Sequence, residues 1–254
     1  MTKRFLIAAS VLLLLTFGIH MSTGLFQGIW KSIKSVSADA VMNSVMTLLA
    51  VFLGAMLAFA IQLHTQKRQE KTAALMSTHR ILFFLLQQAN TVALIQRDFI
   101  KPHLSNTMRF LSIPAIHEFN PSKELFDINT LSFLLESNES RGFLYSLYMA
   151  QESYVEALKA FNERSRIHRH EVQPLLAQAG LVSGREYSLE QIQEALGPFV
   201  FSSIVNTTDM AIVALRRALA RIMESKIAFR GYAVKKFSGV SFTEFDIPDD
   251  STPA

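Results

Sequence analysis

Residues 41–63 read VMNSVMTLLAVFLGAMLAFAIQL, which is 23 residues without a charged side chain. A helix needs about 17–25 mainly apolar residues to cross the roughly 30 Å hydrocarbon core of a bilayer. The stretch therefore predicts a membrane-spanning helix, and it indicates an all-α membrane protein.

A second apolar run, FLIAASVLLLLTFGIHM, occupies residues 5–21 directly after Lys3 and Arg4. Its 17 residues are the short limit for a span, and a basic start before a Leu-rich middle also fits a cleaved signal peptide. The residues after the run offer no convincing Ala-x-Ala cleavage site, which favours an uncleaved helix. The two runs then form an N-terminal transmembrane hairpin in a domain of residues 1–63.

Basic residues are distributed unequally around this hairpin. Five flank its outer ends and two lie in its connection: Lys3, Arg4, Lys67, Arg68 and Lys71 against Lys31 and Lys34. Because Lys and Arg are enriched in cytoplasmic loops, we expect both termini to be cytoplasmic.

The connection between the runs, residues 24–36 (GLFQGIWKSIKSV), has apolar residues at helical spacing and lysines largely on the other side. This pattern is typical of an interfacial amphipathic helix, although an aromatic belt with an ordinary turn is the alternative. As an amphipathic helix it is a membrane-active loop, and its candidate residues are Leu25, Phe26, Ile29, Trp30, Lys31, Ile33 and Lys34. A pore also needs polar groups at membrane depth, for which Lys31, Lys34, Asn43 and Thr47 are candidates.

Small residues recur every four positions in the second span, at Ala50, Gly54 and Ala58. Such a ladder lets another helix approach closely, so it predicts a helix-packing contact in a homo-oligomer. Ala and Gly are also common in membrane helices that make no such contact.

Residues 64–237 predict a cytoplasmic antiparallel helical bundle, followed by an acidic flexible tail at 238–254. A long helix over 69–100 continues from the second span until Pro102, and residues 101–126 form a loop. Further helices are expected from Asp127 or Asn129 to Ser137, from Glu139 to Ala179, from Ser188 to Ala195 and from Phe199 to Phe229. Gly180 is typical of a residue that ends a helix. Ser188 and Gln191 predict a capping box, and Gly197-Pro198 predicts a break between two helices. Residues 240–247 are either a short strand or a mobile end.

The helix expected from Glu139 to Ala179 carries an apolar stripe that predicts its buried face. The stripe consists of Phe143, Leu144, Leu147, Tyr148, Tyr154, Val155, Leu158 and Phe161.

Catalytic motifs are missing from the sequence. It has no Cys, no Gly-rich phosphate loop and no Gly-x-Ser-x-Gly or His-Glu-x-x-His pattern. His168 and His170 would point about 200° apart on an α-helix and so do not form a metal-binding pair. We therefore expect neither an enzyme nor a bound cofactor or metal.

Two clusters of polar donors remain. Residues 162–170 (NERSRIHRH) are either a binding face or a solvated face with internal ion pairs. Residues 216–236 carry seven basic side chains against the single acid Glu224: Arg216, Arg217, Arg221, Lys226, Arg230, Lys235 and Lys236. This helix is a candidate contact for nucleic acid or for a membrane surface, and the alternative is that its long side chains only solubilise the bundle.

Over the whole chain, the plan of two closely spaced spans, a helical body and no catalytic motif resembles the two-transmembrane effector proteins of bacterial retron anti-phage systems. The phrases Ser132-Phe133-Leu134-Leu135-Glu136 and Asn162-Glu163-Arg164-Ser165 also resemble uncharacterised bacterial helical proteins.

The resemblance implies a partner complex of a reverse transcriptase and RNA-linked DNA that keeps the effector inactive. On release during phage infection, the effector would damage the bacterial inner membrane and kill the cell. The alternative is a passive inner-membrane anchor or scaffold whose helical domain recruits a cytoplasmic partner.

Overall fold

A computed structural model describes residues 38–135, 138–181, 185 and 187–242. All regular secondary structure in these ranges is helical, which confirms the all-α prediction for them. The chain divides into two units, residues 1–68 and 69–254. The first predicted span, the loop at 24–36 and residues 243–254 of the predicted tail at 238–254 lie outside the described residues.

Five α-helices are described, with shorter helical turns between them. They are α1 (Ala38–Ile95), α2 (Arg109–Ser112), α3 (Asn138–Ile167), α4 (Gln173–Gln178) and α5 (Leu189–Lys236). Two π-helical turns, Gln96–Ile100 and His168–Val172, follow α1 and α3 and are called the first and second π-turn. The 3₁₀ turns are Lys101–His103, Pro121–Glu124 and Ile128–Leu135.

Helix α1 runs without interruption from the second predicted span into the helical body, as predicted. It contains neither Pro nor Gly after Gly54, so nothing in its sequence breaks the ladder of backbone hydrogen bonds. Pro102 lies in the 3₁₀ turn that follows the first π-turn, where the missing backbone N–H no longer interrupts an α-helix.

Both predicted caps are present. Gly180 has φ 72°, and the amides of Gly180 and Leu181 donate to the carbonyls of Ala177 and Leu176 at 3.1 and 2.9 Å, which is a Schellman motif. At the start of α5, the Ser188 hydroxyl accepts from the Gln191 amide at 3.3 Å and the Gln191 side chain accepts from the Ser188 amide at 3.0 Å.

The predicted break at Gly197-Pro198 is present as a kink inside α5. Gly197 has φ 69° and ψ 163°, a backbone conformation that is essentially limited to glycine. The helix then continues to Lys236, beyond the predicted end at Phe229, because Ala233 is still buried in the core.

Two glycine substitutions in α5 are expected to change stability in opposite directions. A Cβ would meet nothing within 4 Å at Gly197 or at Gly231, so only backbone preferences differ. Gly197→Ala should lower the free energy of unfolding by about 1–3 kcal/mol, whereas Gly231→Ala, in a regular part of the helix, should raise it by about 0.5–1 kcal/mol. Denaturant midpoints of the two variants measure both effects, and a shift in the same direction would contradict the argument.

In each of the three long helices, one row of buried residues alternates between spacings of three and four residues. This 3.5-residue repeat is typical of helices that pack along a narrow seam. In α1 it comprises Ala74, Thr78, Ile81, Leu85, Gln88, Val92 and Ile95; from α3 into the second π-turn, Leu147, Ala150, Tyr154, Ala157, Phe161, Arg164 and His168; in α5, Ile204, Thr208, Ala211, Leu215, Ala218, Ile222, Ser225 and Phe229.

Most of these residues belong to one core shared by the three helices. The α5 repeat contains several small side chains, which permit close approach, and the hydroxyl oxygens of Ser146 and Ser225 lie 2.7 Å apart across the contact with α3. The predicted stripe of α3 is largely confirmed, but the prediction is wrong for Tyr148, which is 42% exposed.

By length and composition alone, two helical stretches among the described residues could cross a membrane, Met42–His103 and Leu189–Lys236. The most apolar window of the first is 0% buried, while that of the second is 28% buried. Helix α5 places its repeat in the core, and core helices of soluble proteins satisfy the same test. The first stretch contains all of the predicted span at 41–63 except residue 41.

Candidate functional site

The first part of α1 exposes a long apolar surface. Leu48 is 75% exposed and Leu53 63% exposed, and no charged residue lies between Val41 and Leu63. An uncharged helix with apolar side chains on its whole circumference is typical of a segment surrounded by hydrocarbon.

The hydroxyl groups of this stretch donate to their own helix. Ser44 Oγ donates to the Ala40 carbonyl at 2.9 Å, and Thr47 Oγ1 donates to the Asn43 carbonyl at 2.7 Å. These bonds satisfy hydroxyl donors without water, so Thr47 can lie in hydrocarbon without an external acceptor.

The helix-packing candidates Ala50, Gly54 and Ala58 are all exposed on α1. A Cβ at Gly54 would meet nothing within 4 Å. The predicted membrane-active loop, Leu25 to Lys34, lies outside the described residues, and its contact with a membrane stays a prediction.

The seven basic residues of 216–236 differ in their surroundings. Arg216, Arg217 and Lys235 are exposed, and Lys226 and Arg230 are half-buried. Arg221 is exposed and donates to Ser153 Oγ at 2.9 Å. The ammonium of Lys236 lies 5.0 Å from the ring centroid of Phe133 and 5.7 Å from that of Tyr232. Part of this charge therefore helps to hold α5 against its neighbours, and part faces outward.

The donor cluster at 162–170 holds a loop in place. Arg164 is 0% exposed and donates to the carbonyls of Phe110 at 2.9 Å and Pro114 at 2.8 Å, and also to that of Ile113. Burial lowers the pKa of this guanidinium to about 10, so it stays charged at neutral pH. The charged guanidinium of Arg164 thus supplies hydrogen-bond donors to carbonyls at the C-terminal end of α2.

Other members of the cluster support the same loop or lie in solvent. The Asn162 side chain both donates to the Phe119 carbonyl and accepts from the Phe119 amide, at 2.8 and 3.0 Å. Arg166 pairs with Glu163 at 2.8 Å on the exposed side. The cluster is therefore a loop-holding face on one side and a solvated ion pair on the other.

His168 and His170 are separated as predicted, His168 being buried and His170 exposed. Burial, followed by the nearby charge of Arg164, lowers the pKa of His168 to about 4, so the ring is neutral at pH 7. Within the described ranges, no group of three or more His, Asp or Glu residues is placed to hold a metal ion.

A polar network that the sequence did not indicate joins Tyr154 to the turn at 121–124. The Tyr154 hydroxyl donates to the Glu124 carboxylate, as does the Thr91 hydroxyl at 3.1 Å, and the Gln88 amide donates to the Glu124 carbonyl at 2.7 Å. Burial and the carboxylate of Glu124 raise the pKa of Tyr154. The network anchors the turn to α1 and α3.

Comparison with protein-family models, with curated proteins and with solved structures finds no match to this chain.

Proposed function

We propose that the chain is a membrane-embedded effector of an antiviral system, one that permeabilises the bacterial inner membrane when an inhibitory nucleoprotein partner releases it. The observation that carries the membrane part is the uncharged stretch of α1, whose most apolar window is 0% buried. Covering such a surface with hydrocarbon removes the cost of exposing it to water, about 25 cal/mol per Å² of apolar area.

The proposed topology is a two-span hairpin with both termini in the cytoplasm. It is supported by the basic residues that follow the second span, Lys67, Arg68 and Lys71, together with Lys3 and Arg4 at the amino end. The helical body of residues 64–237 then lies in the cytoplasm, where a nucleoprotein partner is available to it.

The proposed activity is physical rather than catalytic. The loop between the spans, which carries Trp30 beside Lys31, inserts its apolar side at the membrane interface and disturbs lipid packing. Close approach of second spans through Ala50, Gly54 and Ala58 would bring several such loops together.

A passive anchor or scaffold is the second candidate, and a specific observation favours it. The body has its own buried core from Ala74 to Phe242, which is what a recruiting domain needs. An anchor requires no damage to the membrane, so toxicity separates the two candidates.

Expression of the chain alone in a bacterium tests the proposal. We expect growth arrest with entry of a membrane-impermeant DNA dye, and we expect Trp30→Ala with Lys31→Glu to abolish dye entry while the protein stays in the membrane fraction. Expression without its partners mimics release, so healthy, dye-excluding cells containing inserted wild-type chain would favour the anchor. Dye entry unchanged by the double substitution would exclude the loop mechanism.

A further inference from the structure

A small groove separates the first π-turn from α5. Its volume is about 190 Å³, and it is lined by Gln96, Ile100, Lys101, Leu104, Ile212, Leu215 and Arg216. Sites that enclose a whole drug-sized ligand measure about 300–1,000 Å³. The groove therefore has room for one group of a larger ligand.

The polar residues of this groove present donors and positive charge. Gln96 Nε2 is buried without a hydrogen-bond partner, and Lys101 and Arg216 are exposed. No acidic residue lines the groove, and the nearby Asp98 is bound to Arg97 at 2.6 Å. An amide N–H, a guanidinium and an ammonium together match an anion with several acceptor oxygens.

The remaining lining residues are aliphatic and come from both sides of the groove. Ile100 belongs to the first π-turn and Leu104 follows it, while Ile212 and Leu215 belong to α5. An apolar surface beside a set of anion donors suits a phosphate that is attached to a sugar. Single π-turns within α-helices are frequent at functional sites, and this one supplies Gln96 and Ile100 to the groove.

We propose that this groove binds one phosphate group of a nucleic-acid strand. The inference rests on the proposed function, in which the inhibitory partner contains nucleic acid, and it specifies where the body contacts that partner. It adds Gln96 and Lys101, which lie more than a hundred residues before Arg216 in the sequence, to the basic set.

The shape of the groove favours a strand over a bilayer surface. The neighbouring carboxylates, Asp98 of the first π-turn and Asp209 of α5, are paired with Arg97 and Arg109 at 2.6 and 2.9 Å, so they do not decide between the two. A strand can present a single phosphate to a recess of about 190 Å³, whereas a bilayer meets the protein as a flat surface.

The test measures binding of a short fluorescent oligothymidylate to the full chain in neutral-lipid nanodiscs, by anisotropy at several salt concentrations. We expect Arg216→Gln to weaken binding about tenfold and to reduce the salt slope by about 0.7. Gln96→Glu is nearly isosteric, removes the donor and adds a negative charge, so it should weaken binding by at least a similar factor. Arg217→Gln removes the same charge one residue outside the groove and should weaken binding less than about threefold. Arg141→Gln, at a remote exposed position, should leave binding unchanged.

Three results would overturn the proposal. Equal losses for Arg216→Gln and Arg217→Gln would mean diffuse attraction rather than a site, and no measurable binding would mean that the groove takes no strand. Anionic vesicles that bind with the same dependence on Arg216 and Gln96, and displace the oligonucleotide, would assign the groove to lipid headgroups. Dye entry in cells is measured separately. Dye entry without strand binding would contradict only the proposed phosphate site. Strand binding without dye entry would contradict the effector function and would still support the phosphate site.

Discussion

Replacing Arg164 with leucine is expected to lower the free energy of unfolding by about 3–5 kcal/mol. The guanidinium is fully buried and donates to the carbonyls of Phe110, Ile113 and Pro114. Leucine leaves these acceptors without a donor in a place that water does not reach. Each unsatisfied buried carbonyl costs about 1–3 kcal/mol, and the added apolar contact of leucine offsets part of that loss.

The measurement is the denaturant midpoint of the full chain, followed by helical circular dichroism because the single Trp of the chain is Trp30, outside the body. Arg166→Leu is the matched control: Arg166 lies two residues away, its side chain is 51% exposed, and it pairs with Glu163 and Glu171. Exposed pairs contribute about 0–1 kcal/mol. The denaturant midpoint of Arg164→Lys should lie between those of Arg164→Leu and Arg166→Leu, since an ammonium cannot reproduce the planar guanidinium. Equal midpoints for Arg164→Leu and Arg166→Leu would refute the role given to Arg164.

A cysteine introduced at Leu53 is expected to react with an aqueous maleimide about tenfold or more slowly than one at Met76. The chain has no Cys of its own, so each variant carries a single thiol. Leu53 and Met76 lie on the same helix and are 63% and 67% exposed, so protein packing shields neither. Only a bilayer around residue 53 would separate them, because hydrocarbon excludes charge and the reactive form is the thiolate.

Reconstitution into pure lipid vesicles removes any protein that could cover α1 instead. After denaturation in detergent, both thiols should react at the same rate, which controls for intrinsic reactivity. Fast labelling of Leu53→Cys in intact vesicles would show that residues 41–63 do not span the membrane.

Local signals in the sequence were sufficient for much of the fold. The unbroken α1, the glycine at Gly180 and the capping box at Ser188 each follow from the chemistry of a few neighbouring residues. The break at Gly197-Pro198 is equally local. The end of α5 beyond Phe229 does not follow from local signals, since Ala233 stays helical because it is buried in the packed core.

The burial of Arg164 could not be predicted from the sequence. The predicted apolar stripe of α3 ends at Phe161, but the 3.5-residue repeat continues through Arg164 to His168. Arg is seldom fully buried, so its spacing from Phe161 does not by itself predict burial. The partners that make burial tolerable come from residues 110–114, which no local pattern connects to α3.

The sequence of the basic segment of α5 does not show which of its charged side chains face outward. A count of charge along the chain cannot tell that Lys236 lies over two aromatic rings while Arg216 reaches a groove. That distinction depends on helix phase and on which neighbours pack beside each side chain. Gln96, an uncharged residue in a different helix, gave no signal of its own.

The first π-turn also gives α1 a way to absorb a change in chain length. Ile100 is buried five residues after Ile95, whereas the preceding repeat advances by three or four. An extra residue in an α-helix would rotate everything beyond it by about 100°, but a wider turn takes up that residue locally and returns Ile100 to the core. Insertion or deletion of a single residue is therefore better tolerated at Gln96–Ile100 than in the uniform helix before it, and the length of this helix can vary there without disturbing the register of its buried seam.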